Sequence, residues 1–404
     1  MKILFLHQNF PGQYKHLAPA LVARGHQVLA LTAERNGQRT PIRTYRYPDP
    51  GPAPDAREAR LGTTYATMTD RALRVAKAAA QIRDQVGITP DLIIAHPGWG
   101  ETLFLREVWP AARQLVYAEF YYGSRGLDVG FDPEFSRPDL HHNCAVVARQ
   151  AHMAHSLVQA DAAMAPTEWQ ADTYPACLRD KITIIHDGID TDHVCPDPQA
   201  TFRLPNGQVL HVGDEVLTYV ARNIEPYRGS HIFFRALPDI LAKRPQAQVV
   251  IIGRDGTSYG PSPRVGTWKE QFWREIAPRV DAKRVHFVGA LAYGDYLNAL
   301  RVGRVHAYLT VPFVLSWSLI EAMSLGCAIV ASRTGPVEEV VTEHVNGRLV
   351  DFFDVAGWSD AIIDALEGPQ RYAQIRENAR ARAVQDYDLR RVCLPRQLQL
   401  VEGF

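Results

Sequence analysis

Cysteine is sparse in this chain of 404 residues, with five positions (144, 177, 195, 327 and 393) and no CxxC pair among them. An odd, scattered set of that kind excludes a disulfide framework and a Cys-based zinc site, and it suits a reducing compartment. Net charge is absent too: 44 Lys and Arg stand against 44 Asp and Glu. The two halves are equally even, with 20 basic and 22 acidic residues up to position 200, and 24 and 22 after it. This balance excludes the basic surface of a nucleic-acid-binding protein. No run approaches 18 uninterrupted apolar residues, so the sequence predicts no membrane-spanning helix. The opening MKILFLHQNF has one Lys and a short apolar run that His7 ends, and it reads as a strand, not as a leader peptide. A cytoplasmic protein is expected. The glycine-rich GxGxxG fingerprint is also missing, which argues against a dinucleotide-dependent oxidoreductase.

What is present is an ordinary globular composition, 46% hydrophobic and 22% charged, in a chain long enough for two domains. Short aliphatic runs alternate with longer helical patterns. The first series is Ile3–Leu6, Val28–Thr32, Leu92–Ala95, Leu115–Ala118, Ala162–Ala165 and Ile182–Ile185. The second is Leu217–Ala221, Val249–Ile252, Val285–Val288, Val305–Leu309 and Ala328–Ala331. Several are apolar at every position, as parallel strands covered on both faces are. Helices are predicted between them, for example Tyr14–Arg24 and Tyr65–Val86, each followed by glycine. The pattern predicts an α/β protein with two doubly wound, Rossmann-like domains, 1–200 and 201–385, to which the family resemblance described below adds a C-terminal helix from about 386 to 404 returning to the first. The Pro- and Gly-rich stretch His186–Gly213 reads as the linker between them.

Candidate chemistry concentrates after strands. The segment PFVLSWSLIEAMSLGCAIVASRTGPVEEVV, Pro312 to Val341, places Ser316, Trp317 and Ser318 on the first turn of a helix that follows a strand, with Glu321 a turn further on. In an open parallel sheet that is where ligands bind, and free N–H groups at such a turn suit anions. On spacing alone, a surface Glu on an ordinary connection is an equal reading. Arg222 and Arg228, in ARNIEPYRG, form a cationic fork suited to a diphosphate, although two random surface arginines more often cap carboxylates. Gly253 and Arg254, in VIIGRDG, end another buried strand. In the first half, His96 ends the run DLIIAH, and Glu119, Asp128 and Asp132 add carboxylates on the same side. The histidines 141, 142, 152 and 155 match no metal spacing, and no metal site is expected. Between Arg35 and Arg83 ten basic residues face four acidic ones; a solvated surface is the plain reading, and a peripheral contact with anionic lipid or an anionic acceptor is the functional one.

In order, the segments PGQYKHLAPALVARGHQVLALT, DLIIAHPGWG, IIHDGIDTDHV, ARNIEPYRG, VIIGRDG and SLIEAMSLGCAIVASRTGPVEEVV resemble the GT-B glycosyltransferases of family 4, the group 1 type. The resemblance covers nearly the whole chain and implies two domains facing a central cleft, the C-terminal one holding a nucleoside diphosphate sugar. It implies that Arg222 and Arg228 meet the donor diphosphate, Glu321 the ribose, and the turn Ser316–Trp317–Ser318–Leu319 phosphate and sugar through backbone N–H groups. His96 would lie near the transferred sugar, and Gly12 in a loop near acceptor and phosphate. One position departs from the pattern: Phe313 stands where the family's first signature Glu contacts donor-sugar hydroxyls. The expected activity is a metal-independent, retaining transfer to a glycan or lipid-linked acceptor in cell-envelope or exopolysaccharide synthesis. No separate cofactor is implied, the nucleotide sugar being the substrate, and the inner-membrane periphery is the expected place for a lipid-linked acceptor. The alternatives are a GT-B nucleotide-sugar epimerase and a catalytically silent GT-B binding protein.

Overall fold

A computed structural model describes residues 1–49 and 61–404. The chain folds into two compact units, one of residues 1–130, 137–187 and 390–404, the other of residues 131–136 and 188–389.

The first unit is built on a seven-stranded sheet of β1 (Lys2–Leu6), β2 (Gln27–Ala33), β3 (Arg43–Tyr47), β4 (Leu92–Ala95), β5 (Arg113–Tyr117), β6 (Ala162–Ala165) and β7 (Ile182–Ile184). Its order is β3-β2-β1-β4-β5-β6-β7, and every pairing is parallel. The period of two along β1 explains why a run without polar residues is stable here. Ile3 and Phe5 enter a core shared with Leu17 and Leu21 on one face, while Leu4 and Leu6 enter another with Val75 and Ile82. The C-terminal helix Leu394–Glu402 closes the first of these cores through Leu398 and Val401, as the returning helix was expected to do.

The second unit repeats the plan. Its six-stranded sheet holds β10 (Val216–Asn223), β11 (Gln248–Arg254), β12 (Val285–Gly289), β13 (Val305–Tyr308), β14 (Ala328–Ser332) and β15 (Arg348–Val350), in the order β12-β11-β10-β13-β14-β15 and again all parallel. In both sheets the order runs outward in opposite directions from the first strand and its later neighbour, β1 and β4 or β10 and β13. The fold thus has a switch point in each unit, and the loops that leave it part to either side.

Two segments differ from the sequence expectation. The stretch read as a linker contains an antiparallel hairpin, β8 (Thr201–Arg203) and β9 (Val209–His211), whose Phe202 and Leu210 are buried against Val250 and Val302. The turn residues Pro205, Asn206 and Gly207 connect these strands rather than the domains. The other is Phe131–Ser136: Asp132, expected beside the first sheet, belongs to the second unit, where its carboxylate lies 3.0 Å from His231 Nε2.

Candidate functional site

In the second unit, the loops leaving the switch point carry the charge. After β10 comes the turn Pro226–Arg228, then Gly229 and the helix Ser230–Lys243. Buried Tyr219 fixes that turn: its hydroxyl donates to the Arg228 carbonyl (2.5 Å) and lies 2.8 Å from Ser230 Oγ. Arg228 is 6% exposed, and its Nη1 donates to Thr310 Oγ1 (2.9 Å) and the Val314 carbonyl (3.1 Å) beyond β13. Its guanidinium also lies 5.5 Å from the Tyr259 ring centre and 6.0 Å from that of Phe313. Among the described residues no carboxylate makes an ion pair with it. Glu225, three positions earlier and fully buried, accepts instead from the N–H groups of Ser258 (3.1 Å), Tyr259 (3.1 Å) and Gly260 (3.2 Å). A buried cation surrounded only by neutral acceptors and ring faces is a standing demand for an anion.

The second arm of the site is the helix Trp317–Ser324. Ser316 caps it: its Oγ accepts from the Ser318 N–H at 3.3 Å, and Ser318 Oγ lies 3.0 Å from it. Tyr308 holds the entry to the helix by accepting the Ser316 N–H at 2.8 Å. Leu319 is fully buried in the core, and its N–H donates to the Ser316 carbonyl. Glu321 is 7% exposed, and both its oxygens accept phenol hydroxyls, Tyr293 at 2.8 Å and Tyr296 at 2.6 Å. Burial, together with that carboxylate's charge and hydrogen bonds, pushes both phenols up. Phe313 packs its ring 5.0 Å from Tyr259 and 5.6 Å from Tyr227, so the position contributes an aromatic wall beside Arg228.

Arg222 and Arg228 do not act alike. Arg222 lies exposed near the end of β10, and Arg254 is exposed at the end of β11. Gly253 sits on β11 beside the Ala221 carbonyl.

In the first unit the switch point brings together residues from three strand ends. His7 follows β1, His96 follows β4 and Glu119 follows β5. His96 Nε2 lies 3.3 Å from Glu119 Oε2, and Gln13 Nε2 3.4 Å from Glu119 Oε1. The rings of His7, His96 and Trp99 pack together, with centres 5.7 Å apart for the two histidines and 4.5 Å apart for His96 and Trp99. Gly12 turns at φ +50°, and a Cβ there would meet the His7 ring at 2.7 Å, so the loop closes over the imidazole only because that residue has no side chain. Burial pushes the His7 imidazole down to about 3, with the neighbouring His96 adding to the effect.

Sequence reading missed His7, Tyr293 and Tyr296. His7 shares with His96 the position just after a buried apolar run, a signal that was available. Tyr293 and Tyr296 meet Glu321 only through the sheet crossover, which leaves no local trace.

Among the described residues, one group could hold a cation. Asp132, Glu134 and His231 each bring a ligand atom within 4.8 Å of the others. The Glu134 carboxylate, however, is already held by Arg235 through two contacts of 2.7 Å, and that guanidinium opposes a metal.

Comparison with known proteins follows the same division of the chain. Residues 24–194 match a family model described as glycosyl transferase family 4 group, and residues 204–382 one described as glycosyl transferases group 1. A D-inositol 3-phosphate glycosyltransferase of Mycolicibacterium smegmatis is 27% identical over 193 residues, 47% of this chain and 41% of that protein. A GDP-mannose-dependent alpha-(1-6)-phosphatidylinositol monomannoside mannosyltransferase of the same organism is 26% identical over 195 residues, 46% of this chain and 47% of that protein. The chain thus spans less than half the length of either. Among solved structures, HepE of Anabaena in complex with UDP-glucose is similar over 100% of both chains, with a TM-score of 0.68 at 18% identity. Sucrose-phosphate synthase of Thermosynechococcus elongatus gives a TM-score of 0.71 at 19% identity, covering 100% of this chain and 99% of that one. At these identities the structural likeness speaks for the fold, which is that of two Rossmann-like sheets.

Proposed function

The chain belongs to the family 4, group 1 glycosyltransferases, with the GT-B fold, and from that premise we propose that it transfers a sugar from a nucleoside diphosphate sugar to an acceptor hydroxyl. The observation that carries the reading is Arg228: a buried guanidinium at the switch point of the second sheet, with neutral partners and no carboxylate among the described residues. The donor's diphosphate is the anion of matching size, and as it departs Arg228 stabilises the charge that develops on it. Exposed Arg222 is the second cation of the fork, reaching the phosphate from the solvent side. Glu321, held by its two tyrosines, accepts ribose hydroxyls, and the capped turn at Ser316 lies toward phosphate and sugar. Trp317 and Ser318 share that turn, with Gly253 and Arg254 at the neighbouring strand end.

Cationic side chains take the part of a metal here, so the transfer is metal-independent and needs no cofactor beyond the donor. We assign retention of anomeric configuration, a glycan or lipid-linked acceptor near His96 and Gly12, and a place in envelope or exopolysaccharide synthesis on the cytoplasmic side of the membrane. The support for these finer assignments is family membership and the chemistry named for the relatives.

A thermal-shift panel of nucleoside diphosphate sugars tests the reading. One base and sugar should stabilise the protein clearly, and Arg228→Ala should weaken that binding roughly 30-fold or more, the loss of a charge-assisted contact. A double Arg222→Ala, Arg228→Ala variant that turned over normally would remove the diphosphate assignment. A flat response to every donor would identify a silent binding protein, and conversion of the donor sugar without any acceptor an epimerase.

A further inference from the structure

Three rings flank the turn that holds Arg228. Tyr227, Tyr259 and Phe313, all in the second unit, form one aromatic wall. Ring centres lie 6.3 Å apart for the two tyrosines, 5.6 Å for Tyr227 and Phe313, and 5.0 Å for Tyr259 and Phe313. We propose that this wall receives the donor's sugar and selects a 6-deoxyhexose, whose methyl group lies against Tyr259 and Phe313; the proposal rests on the transfer reading and deepens it.

The wall is held in place from two sides. Glu225, fully buried, accepts the N–H groups of Ser258, Tyr259 and Gly260, which fixes the loop that carries Tyr259. Asn223 adds two contacts to the same loop, its Oδ1 accepting the Gly256 N–H at 3.3 Å and its Nδ2 donating to Ser258 Oγ. Gly260 passes close over Tyr227, where a Cβ would meet the ring at 3.0 Å. From the other side, the Val311 N–H donates to the Tyr227 carbonyl at 3.1 Å and ties the turn to the segment that leads to Phe313. A surface fixed by so many contacts selects the ligand that suits it and gains affinity by needing no rearrangement.

The occupant follows from the donor's chemistry. A nucleoside diphosphate sugar carries its ribose on one phosphate and its hexose on the other. The ribose falls to Glu321, held by Tyr293 and Tyr296, none of which belongs to the wall. The Arg228 guanidinium, by contrast, lies 5.5 Å from the Tyr259 ring centre and 6.0 Å from that of Phe313. The hexose, joined through a single oxygen to the diphosphate that Arg228 holds, is the part of the donor that meets these rings.

The make-up of the wall then sets the kind of hexose. Phe313 is 4% exposed and its side chain has no polar atom, while Tyr259, 38% exposed, offers its ring on the solvent side. The Tyr259 phenol is engaged by the Arg228 guanidinium, and the carboxylate beside them, Glu225, is spent on holding the loop. A hexose hydroxyl pressed against ring carbon gives up water for no partner, which is unfavourable. A methyl group in the same place is buried at a gain.

Matched donors that differ only in the 6-hydroxyl test this: UDP-glucose and UDP-6-deoxyglucose, GDP-mannose and GDP-6-deoxymannose, dTDP-glucose and dTDP-6-deoxyglucose. Isothermal titration should find a pair whose deoxy member binds the wild type about 10-fold or more tighter, the range in which an apolar wall discriminates against an added hydroxyl. Tyr259→Ala should bring the ratio within that pair below about threefold. The ratio cancels whatever loss of the ring does to the diphosphate, which both members share. Equal affinities within the pair that binds, tighter binding of its hydroxylated member, or an unchanged ratio in Tyr259→Ala overturns the role of the wall and leaves the transfer reading in place. Stabilisation by a donor outside these pairs alone does the same. A protein that no nucleoside diphosphate sugar stabilises overturns both.

Discussion

Glu321 illustrates how much a single residue's role depends on neighbours distant in sequence. A carboxylate at the mouth of a site would ordinarily rotate, but here Tyr293 and Tyr296 each hold one oxygen and leave the remaining lone pairs as the free acceptors. Hydrogen bonds to a charged group contribute about 1.5–3 kcal/mol each, enough to fix one orientation. Tyr296→Phe deletes one of them without changing ring packing. We expect roughly tenfold weaker binding of a ribonucleoside diphosphate, and a smaller loss for its 2′,3′-dideoxy analogue, which offers Glu321 no hydroxyl; isothermal titration of both nucleotides checks it. Equal losses for the two would show that Tyr296 supports the fold and not the ribose. The residues that sequence did reveal, Arg228, Glu321 and His96, all follow apolar runs in the chain. Glu119, the partner of His96, also stood after an apolar run, whereas Thr310 and Tyr293 are brought to Arg228 and Glu321 by strand order, which no local spacing records.

At the scale of elements, the strands were legible because most are covered on both faces and so appear as unbroken aliphatic runs; Leu92–Ala95 and Ala162–Ala165 coincide with β4 and β6. The strands that escaped lie at sheet edges or outside the main sheets. β3 reads RTYRY, with one face half-solvated, and β15 and the β8–β9 hairpin are three residues long each. Edge strands bury less and need fewer apolar residues, so their pattern is faint. The most demanding connection is the turn from β10 into the helix Ser230–Lys243. Gly229 adopts φ +62°, and a Cβ there would meet Leu309 Cβ at 2.5 Å. Gly229→Ala must therefore both strain the backbone and push β10's loop away from the β13 loop that holds Arg228. We expect a loss of about 2–4 kcal/mol in unfolding free energy, together with weaker nucleotide binding, measured by urea unfolding and thermal shift on the same variant. An unchanged nucleotide affinity would mean that Arg228 does not depend on the turn's position.

For the molecule as a whole, the neutral charge count conceals how its cations are used. Within the basic stretch, Arg71 is buried, with its Nη1 2.7 Å from Gln8 and 3.7 Å from Glu101, and Arg46 donates to the carbonyls of Glu34 and Asn36. Arg35, Arg74 and Arg83 pair with Asp49, Asp70 and Asp84, while Arg57 and Arg60 lie outside the described residues. Much of that charge is engaged inside the first unit, which weakens the case for a lipid-facing patch. No described helix is long and apolar enough to cross a membrane.

The histidines instead set how the molecule responds to pH. Burial pushes His7 and His306 down to about 3 and His186 down to about 4, from an ordinary 6.5. In the folded state these imidazoles refuse protons that the unfolded chain accepts, so stability is fully present above pH 6.5 and declines as pH falls toward the folded values. Each costs up to about 1.4 kcal/mol per pH unit in that window. Glu101, pushed up by burial, works in the opposite sense, while Glu119, Glu134 and Asp364, held low, add to the acid loss at lower pH. His7 and His186 belong to the first unit and His306 to the second. Burial also pushes down His152 of the first unit and His286 of the second, so the first unit holds three such imidazoles to the second's two and should lose stability faster on acidification. Scanning calorimetry should show its transition falling by roughly 10 °C between pH 7.5 and 5 and separating from that of the second unit. A midpoint that stayed level over that range would mean that these imidazoles are protonated in the folded protein.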